Sequence, residues 1–211
     1  LVGARAGGER LVRRADAERP FRLACIQLAT YDGTIYNVKK VLEKIGHLCE
    51  YVLWDEAWIG YNAFHPLFTD HSPMRLQDLG PEMAGLFSTQ SVHKQGAGFS
   101  QASQILVQDS ENRRLDRDVF NEAYLMHTST SPQYAIIASC DVAAAMMEEP
   151  GGTALVEESI AEALDFRRAM RKVDEEWGAD WWFKVWGPDD LSEEGIEERE
   201  AWMVKPGERW H

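Results

Sequence analysis

The chain is poor in cysteine, has no excess of basic residues and does not begin with methionine. Its three cysteines among 211 residues have no C-x-x-C spacing, so neither a disulfide framework nor a zinc framework is expected. The cysteines are interpreted as buried, reduced thiols, which favours a cytoplasmic location. The formal net charge of −13 argues against nucleic acid or an anionic membrane as a partner, because both select basic faces.

A long apolar run is missing as well. The longest such stretch, residues 134–147, is interrupted by Asp141 and is too short to cross a bilayer. No signal peptide is recognisable. Because the chain starts at Leu1 and stops at His211 within a polar stretch that contains aromatic residues, we expect it to be a fragment of a longer protein.

The composition is that of a folded protein, and the first half of the chain has an α/β pattern. Hydrophobic residues make up 45% of the sequence and aromatic residues 10%. A helix that begins after Asn37 separates two short apolar runs, which is the strand–helix–strand pattern of an open, mostly parallel sheet. Strands are predicted at residues 23–28, 51–54, 86–88 and 105–107.

The second half is predicted to be mainly helical. Helices are expected at 118–126, from a cap at Ser131-Pro132 towards 147, and at 153–176 after the break at 150–152. Residues 181–186 resemble a strand, residues 3–19 a loop, and the acidic residues 189–200 a solvated loop or short helix.

Asp55 directly follows the predicted strand at residues 51–54. Ligands of open α/β sheets collect at the carboxyl ends of strands, and a carboxylate there needs a cationic or hydrogen-bonding partner. A helix cap or a structural salt bridge is the simpler interpretation for an isolated aspartate. His65 and His71 lie nearby, but their spacing matches no standard pair of metal ligands, and a metal site is not predicted.

Lys94 follows the predicted strand at residues 86–88, with Ser91 and His93 just before it. Burial of Lys94 would favour its neutral amine, which can form an imine with an aldehyde. Ser91 and His93, two residues apart on an extended segment, can both donate to a phosphate. Gly96 and Gly98 are expected to permit a close backbone approach rather than to form a dinucleotide fingerprint. Taken alone, Lys94 is as readily an exposed surface lysine.

Together, Asp55 and Lys94 indicate the kind of bound cofactor more specifically than either residue alone. Pyridoxal phosphate needs a carboxylate that keeps the pyridine nitrogen protonated and a lysine that holds the aldehyde as an imine. An aspartate and a lysine at the ends of two successive strands meet both needs.

Five successive motifs resemble those of the bacterial ornithine/lysine/arginine decarboxylases, which are pyridoxal-phosphate enzymes of the aspartate-aminotransferase fold type. The similarity extends from about Leu23 to His211. The motifs are TYDG at 30–33, DEAW at 55–58, TQSVHKQ at 89–95, GFSQASQI at 98–105 and HTSTSP at 127–132.

The resemblance implies a part of a three-layer αβα large domain that binds pyridoxal 5'-phosphate, with a mostly parallel sheet followed by helices. Residues 1–22 would be a loop or poorly ordered end, 23–176 the C-terminal half of that domain, and 177–211 the start of the segment that leads to a C-terminal domain. It assigns the imine lysine to Lys94 and the partner of the pyridine nitrogen to Asp55. The contacts around the cofactor would come from Trp58, Ser91 and His93.

The resemblance also implies an active site shared between subunits. Ser129 matches a hydroxyl that reaches the phosphate from the neighbouring subunit, so a homodimer or a larger homo-oligomer is expected. The family's phosphate loop and stacking histidine precede the TYDG motif and are not found in this sequence.

The expected function is decarboxylation of lysine, ornithine or arginine, with Lys94 and His93 as catalytic residues. The alternatives are another reaction of the same cofactor, such as transamination or a lyase reaction, and a catalytically silent relative that serves assembly or partner binding. The motif around Lys94 resembles the ornithine enzymes and the segment from His127 the lysine and arginine enzymes, so the substrate stays open.

Overall fold

The structure, a computed structural model, describes residues 17–77 and 79–185. They divide into two units, one up to Glu148 and one from Glu149 onward. The first unit contains β1 (Phe21–Gln27), α1 (Val38–Ile45), β2 (Cys49–Asp55), β3 (Gly85–Gln90), α2 (Val92–Gln95), β4 (Gln104–Gln108), α3 (Arg117–His127) and α4 (Tyr134–Met146), and the second contains α5 (Gly151–Trp177).

Within the described residues, four strands form one sheet in the order β1-β2-β3-β4. β1, β2 and β3 run parallel, whereas β4 pairs antiparallel with β3. The register places Gln27, Asp55 and Thr89 side by side across the three parallel strands. The predicted α/β class with a mostly parallel sheet is confirmed, and polar residues meet at the carboxyl ends of its strands.

The packing of α1 against the sheet explains why β1 and β2 are parallel. Asn37 caps the helix, as predicted, and its side chain accepts a hydrogen bond from Lys40 N at 2.9 Å. Val38 and Leu42 are buried in the same core cluster as Trp54. A helix that covers one face of the sheet returns the chain to the end at which the first strand began, as a parallel crossover requires.

The first strand differs from its prediction in extent and burial. It begins at Phe21, two residues early, and lies at the edge of the sheet, where Phe21 is 56% exposed. The preceding bend is anchored because Arg19 is buried and donates to the carbonyl oxygens of Gly46 and Cys49, at 2.8 and 2.7 Å. Hydrophobicity alone could not tell an edge strand from a central one.

The helix predicted from Ser131-Pro132 begins later. α4 starts at Tyr134, and the extended residue Gln133 is its N-cap. Ser131 is not the cap, because the helix begins three residues later, and Ser131 lies in a local turn in which its N–H donates to the Ser129 hydroxyl at 3.1 Å. α3 has a regular cap, since the Asp116 carboxylate accepts from the N–H of Asp118 and Val119 at 3.1 Å.

In the second unit, α5 covers the predicted helix and starts two residues earlier. It carries an ion pair one turn apart between Arg168 and Asp165 at 2.9 Å. The strand predicted at 181–186 is wrong for residues 181–185, which have no regular structure. The acidic residues 189–200 lie outside the described residues.

Two of the three thiols are less buried than expected. Cys49 is buried, Cys140 is partly buried and Cys25 is exposed on the edge strand β1. In the described ranges 17–77 and 79–185, no helix combines the length and apolar character needed to span a membrane.

Candidate active site

The predicted site residues lie where β2 and β3 end. Asp55 is the last residue of β2 and pairs in register with Thr89, and the chain leaves β3 at Gln90 to enter α2 through Ser91. Lys94 lies in α2 and Trp58 in the turn after β2. Two segments separated by some thirty residues therefore meet at one edge of the sheet.

The Asp55 side chain is exposed and held at one oxygen. Its Oδ1 accepts the N–H of Ala57 at 3.0 Å, which closes a turn directly after the strand. The Asp55 main chain is fixed as well, because its carbonyl oxygen accepts from Leu28 N at 2.9 Å. Both contacts fix where the carboxylate lies and leave room for a partner at Oδ2.

Lys94 lies on a single helical turn that also contains His93, so Ser91 and His93 do not lie on the extended segment expected from the sequence. Ser91 is the N-cap of α2, and the Lys94 N–H donates to the Ser91 carbonyl oxygen at 3.0 Å. The Lys94 side chain is exposed, so the burial that would favour its neutral amine is not found among the described residues. The amine is open to a ligand at the end of the sheet.

An aromatic pair orients the Lys94 amine. Its Nζ lies 4.4 Å from the centre of the Trp58 ring, which is a cation–π contact. Tyr31 in turn packs edge-on against Trp58, with ring centres 5.1 Å apart. Tyr31 belongs to the TYDG motif, but its contact with Trp58 depends on the tertiary structure and could not be predicted from the motif.

His93 is oriented by a single carbonyl group. Its Nδ1 lies 2.9 Å and its main-chain N lies 3.1 Å from the Ala102 carbonyl oxygen. A carbonyl oxygen only accepts, so Nδ1 carries the hydrogen and Nε2 is the basic nitrogen of the neutral ring. The imidazole can therefore exchange a proton through Nε2.

The glycines after Lys94 permit a close approach of main chains, which confirms their predicted role. The N–H groups of Gly96 and Gly98 both donate to the Val92 carbonyl oxygen, at 2.9 and 3.2 Å. A Cβ on Gly98 would lie 2.9 Å from both Val92 Cγ1 and Ala102 Cβ. The loop is also tied to α4, because Phe99 N donates to Ser139 Oγ at 2.9 Å.

Glu56, to which no role was predicted from the sequence, is fully buried between the two strand ends. Its Oε2 accepts from the Ser88 hydroxyl and from Gln90 Nε2, the latter at 3.0 Å. Burial raises the pKa of Glu56, and the polar side chains of Ser88, Gln90 and Asn62 around the carboxyl group oppose that shift. A glutamate directly after an apolar strand and Asp55 was the available signal, but its burial could not be read from the sequence.

Within the part of the chain that the structure describes, no contact brings Ser129 to the other site residues. It is exposed in the turn between α3 and α4, and its hydroxyl is bonded within that turn to Ser131. Over residues 17–77 and 79–185, no group of three histidine, cysteine or acidic side chains is arranged to hold a metal ion.

The described residues fit the chemistry of pyridoxal phosphate. The ends of β2 and β3 and the segments that follow them carry four polar groups with free positions. They are the exposed amine of Lys94, the Asp55 carboxylate with Oδ2 open, the Ser91 hydroxyl, which makes no capping hydrogen bond to α2, and the His93 imidazole with Nε2 open. These are the groups that an aldehyde, a pyridinium nitrogen and a phosphate require.

Fold and site together define an α/β protein with polar residues at the ends of parallel strands. The family model "Orn/Lys/Arg decarboxylase, major domain" matches residues 6–211. The chain belongs to this family of decarboxylases.

Relatives with named activities support the assignment. A lysine decarboxylase of Pseudomonas aeruginosa is 44% identical over 199 residues, which cover 92% of this chain and 26% of the relative. An ornithine decarboxylase of Haemophilus influenzae is 47% identical over 161 residues, covering 74% and 22%. The crystal structure of a Francisella novicida lysine decarboxylase matches with a TM-score of 0.78 and 37% identity, covering 96% and 26%. The chain spans about a quarter of the length of the curated relatives it matches.

Proposed function

We propose that this chain is part of a pyridoxal-phosphate enzyme that decarboxylates a basic amino acid, namely lysine, ornithine or arginine. The observation that carries the proposal is the meeting of Asp55 and the Lys94 segment at adjacent strand ends in a chain of this family. Relatives named as lysine, ornithine and arginine decarboxylases support the substrate class.

Each site residue has a task in this proposal. Asp55 Oδ2 would hold the proton on the pyridine nitrogen, and the Lys94 amine would anchor the cofactor aldehyde. Ser91 and His93 would contact the phosphate and the anchoring bond, and Trp58 would line the site beside Lys94. The bound cofactor supplies the electron sink that carbon–carbon bond cleavage needs.

The chain must also deliver a proton. Loss of carbon dioxide leaves an α-carbon that takes up one proton to give the amine product. The Lys94 ammonium through Nζ, or a His93 imidazolium through Nε2, would donate it, and both residues lie on α2. The Ala102 carbonyl oxygen keeps Nδ1 protonated, so the proton to be exchanged is at Nε2.

Features outside this chain's own contacts belong to the same proposal. Ser129 would reach the phosphate of a neighbouring subunit, which makes a homodimer the smallest active unit, and the enzyme would work in the cytoplasm. Residues 23–176 would form the C-terminal half of the cofactor-binding domain, and residues 177–211 would lead to a further domain.

Trapping of the cofactor tests the site. Borohydride reduction of the full-length protein loaded with pyridoxal phosphate is expected to leave a pyridoxyl group on Lys94, detected by peptide mapping. Lys94→Ala should abolish the adduct, whereas Lys39→Ala, on the exposed side of α1, should not change it. An unlabelled Lys94 in the loaded wild-type protein would refute the assignment.

Product analysis tests the reaction. The loaded protein should release carbon dioxide and an amine from at least one of lysine, ornithine and arginine. Formation of a keto acid would point to transamination, and the absence of any product from all three would point to a silent relative.

A further inference from the structure

Glu56 lies between the two segments that carry the proposed cofactor residues and contacts both. Its main-chain N–H donates to the Thr89 carbonyl oxygen at 2.9 Å, and its carboxyl group accepts from Ser88 and Gln90. Gln90 directly precedes Ser91, the cap of the helix that carries Lys94. Glu56 itself separates Asp55 from Ala57, whose N–H holds the Asp55 carboxylate.

The surroundings of Glu56 favour a neutral carboxylic acid. The side chain is 0% exposed, and within residues 17–77 and 79–185 no salt bridge joins it to a basic side chain. The groups that face it are uncharged, namely the Ser88 hydroxyl from β3 and the side-chain amides of Gln90 and Asn62. An unpaired charge in such a place costs several kcal/mol, so carboxyl groups there hold their proton.

The hydrogen bonds indicate which oxygen carries the proton. Ser88 and Gln90 both donate to Oε2, and no described residue donates to the buried Oε1. Asn62 lies beside the same carboxyl group, and its Nδ2 donates to the His71 carbonyl oxygen at 2.8 Å, so its own Oδ1 is a buried acceptor without a donor. Glu56 Oε1 and Asn62 Oδ1 are therefore two buried acceptors with no donor among the described residues. A proton on Oε1 would supply the donor that this region lacks.

We propose that Glu56 is a positioning residue that, as a neutral carboxylic acid bonded to Ser88 and Gln90, fixes Asp55 relative to the Lys94 helix. The chain of side chains extends outward, because Gln104 Nε2 donates to Gln90 Oε1 at 2.7 Å and thereby holds the amide that donates to Glu56. Gly60 packs against Gln90, where an added Cβ would come within 3.2 Å of its amide carbon. The role in positioning rests on the proposed function, whereas the protonation does not.

Glu56→Gln is the decisive variant, because a glutamine amide reproduces a protonated carboxyl group. Its oxygen can accept from Ser88 and Gln90, and its NH₂ can replace the O–H donor. In the full-length protein loaded with pyridoxal phosphate, Glu56→Gln is expected to keep the yield of the Lys94 adduct within about twofold of wild type. The rate of decarboxylation at each pH should also stay within about twofold. Glu56→Leu, which is apolar and forms no side-chain hydrogen bond, should lower the adduct yield about tenfold or more.

Two controls separate positioning from general damage. Glu50→Gln makes the same change within β2, which directly precedes Glu56, at a partly exposed residue that pairs with Arg113 at 3.8 Å, and it should alter nothing. If Glu56→Leu fails to fold, Ser88→Ala removes one donor to Oε2 at minimal change in volume, and it should lower the adduct yield several-fold.

An infrared difference spectrum tests the proton independently of the cofactor. Wild type and Glu50→Gln, made with isotope-labelled glutamate, should show a buried carboxylic-acid carbonyl band at neutral pH that Glu56→Gln lacks. A missing band overturns the proposal, and so does a Glu56→Gln variant as impaired as Glu56→Leu. If wild-type protein formed no adduct at Lys94, the proposed function would fail, whereas the band would still decide the protonation of Glu56.

Discussion

Replacement of Gly98 by alanine should displace the helix that carries Lys94. The added Cβ would lie 2.9 Å from Val92 Cγ1 and Ala102 Cβ, about 0.5 Å inside ordinary van der Waals contact, and 3.2 Å from the Val92 carbonyl carbon. Val92 and Ala102 are buried at 8% and 0% exposure, so neither can turn away towards solvent. The strain must therefore move the main chain of α2.

Overpacking of this kind costs about 1–3 kcal/mol of unfolding free energy. The matched control is Gly80→Ala, because nothing lies within 4 Å of a Cβ at Gly80. Urea unfolding of the full-length protein measures the cost, and the rate of borohydride trapping measures the displacement of Lys94 from Trp58. A Gly98→Ala variant that matches Gly80→Ala in both assays would refute the packing argument.

Three further outcomes are expected. Because burial raises the pKa of Glu56 above its ordinary 4.5, the folded state retains a proton that the unfolded chain releases, so stability falls as pH rises from that value to the folded pKa. Glu56→Gln should remove this slope, which is at most about 1.4 kcal/mol per pH unit, and an unchanged slope in denaturant titrations would contradict the assignment. Asn37→Ala should cost about 1 kcal/mol in the same titrations by removing the cap on Lys40 N–H, and Asn37→Asp should retain most of it. Trp58→Leu should weaken the contact with Lys94 by about 0.5–1 kcal/mol and change the trapping rate, whereas Trp58→Phe should have a smaller effect.

Local patterns were sufficient for most of the secondary structure. The cap at Asn37 and the apolar run before Asp55 involve residues close in sequence, and both were predicted correctly. The start of α4 and the strand at 181–185 were predicted wrongly. At α4, residues 129–131 form a local turn that the sequence pattern did not indicate, and the helix begins only at Tyr134.

The sequence by itself determined the family, the α/β class and the positions of Asp55 and Lys94 at the ends of successive strands. These three features follow from the order of the motifs and from the apolar runs, both of which depend only on the linear sequence. Only the tertiary structure decided that Lys94 is exposed beside Trp58 and that Glu56 is buried between the two strand ends. The reason is that burial and hydrogen-bond partners depend on residues about thirty positions away, such as Ser88 for Glu56, and parallel pairing alone brings them together.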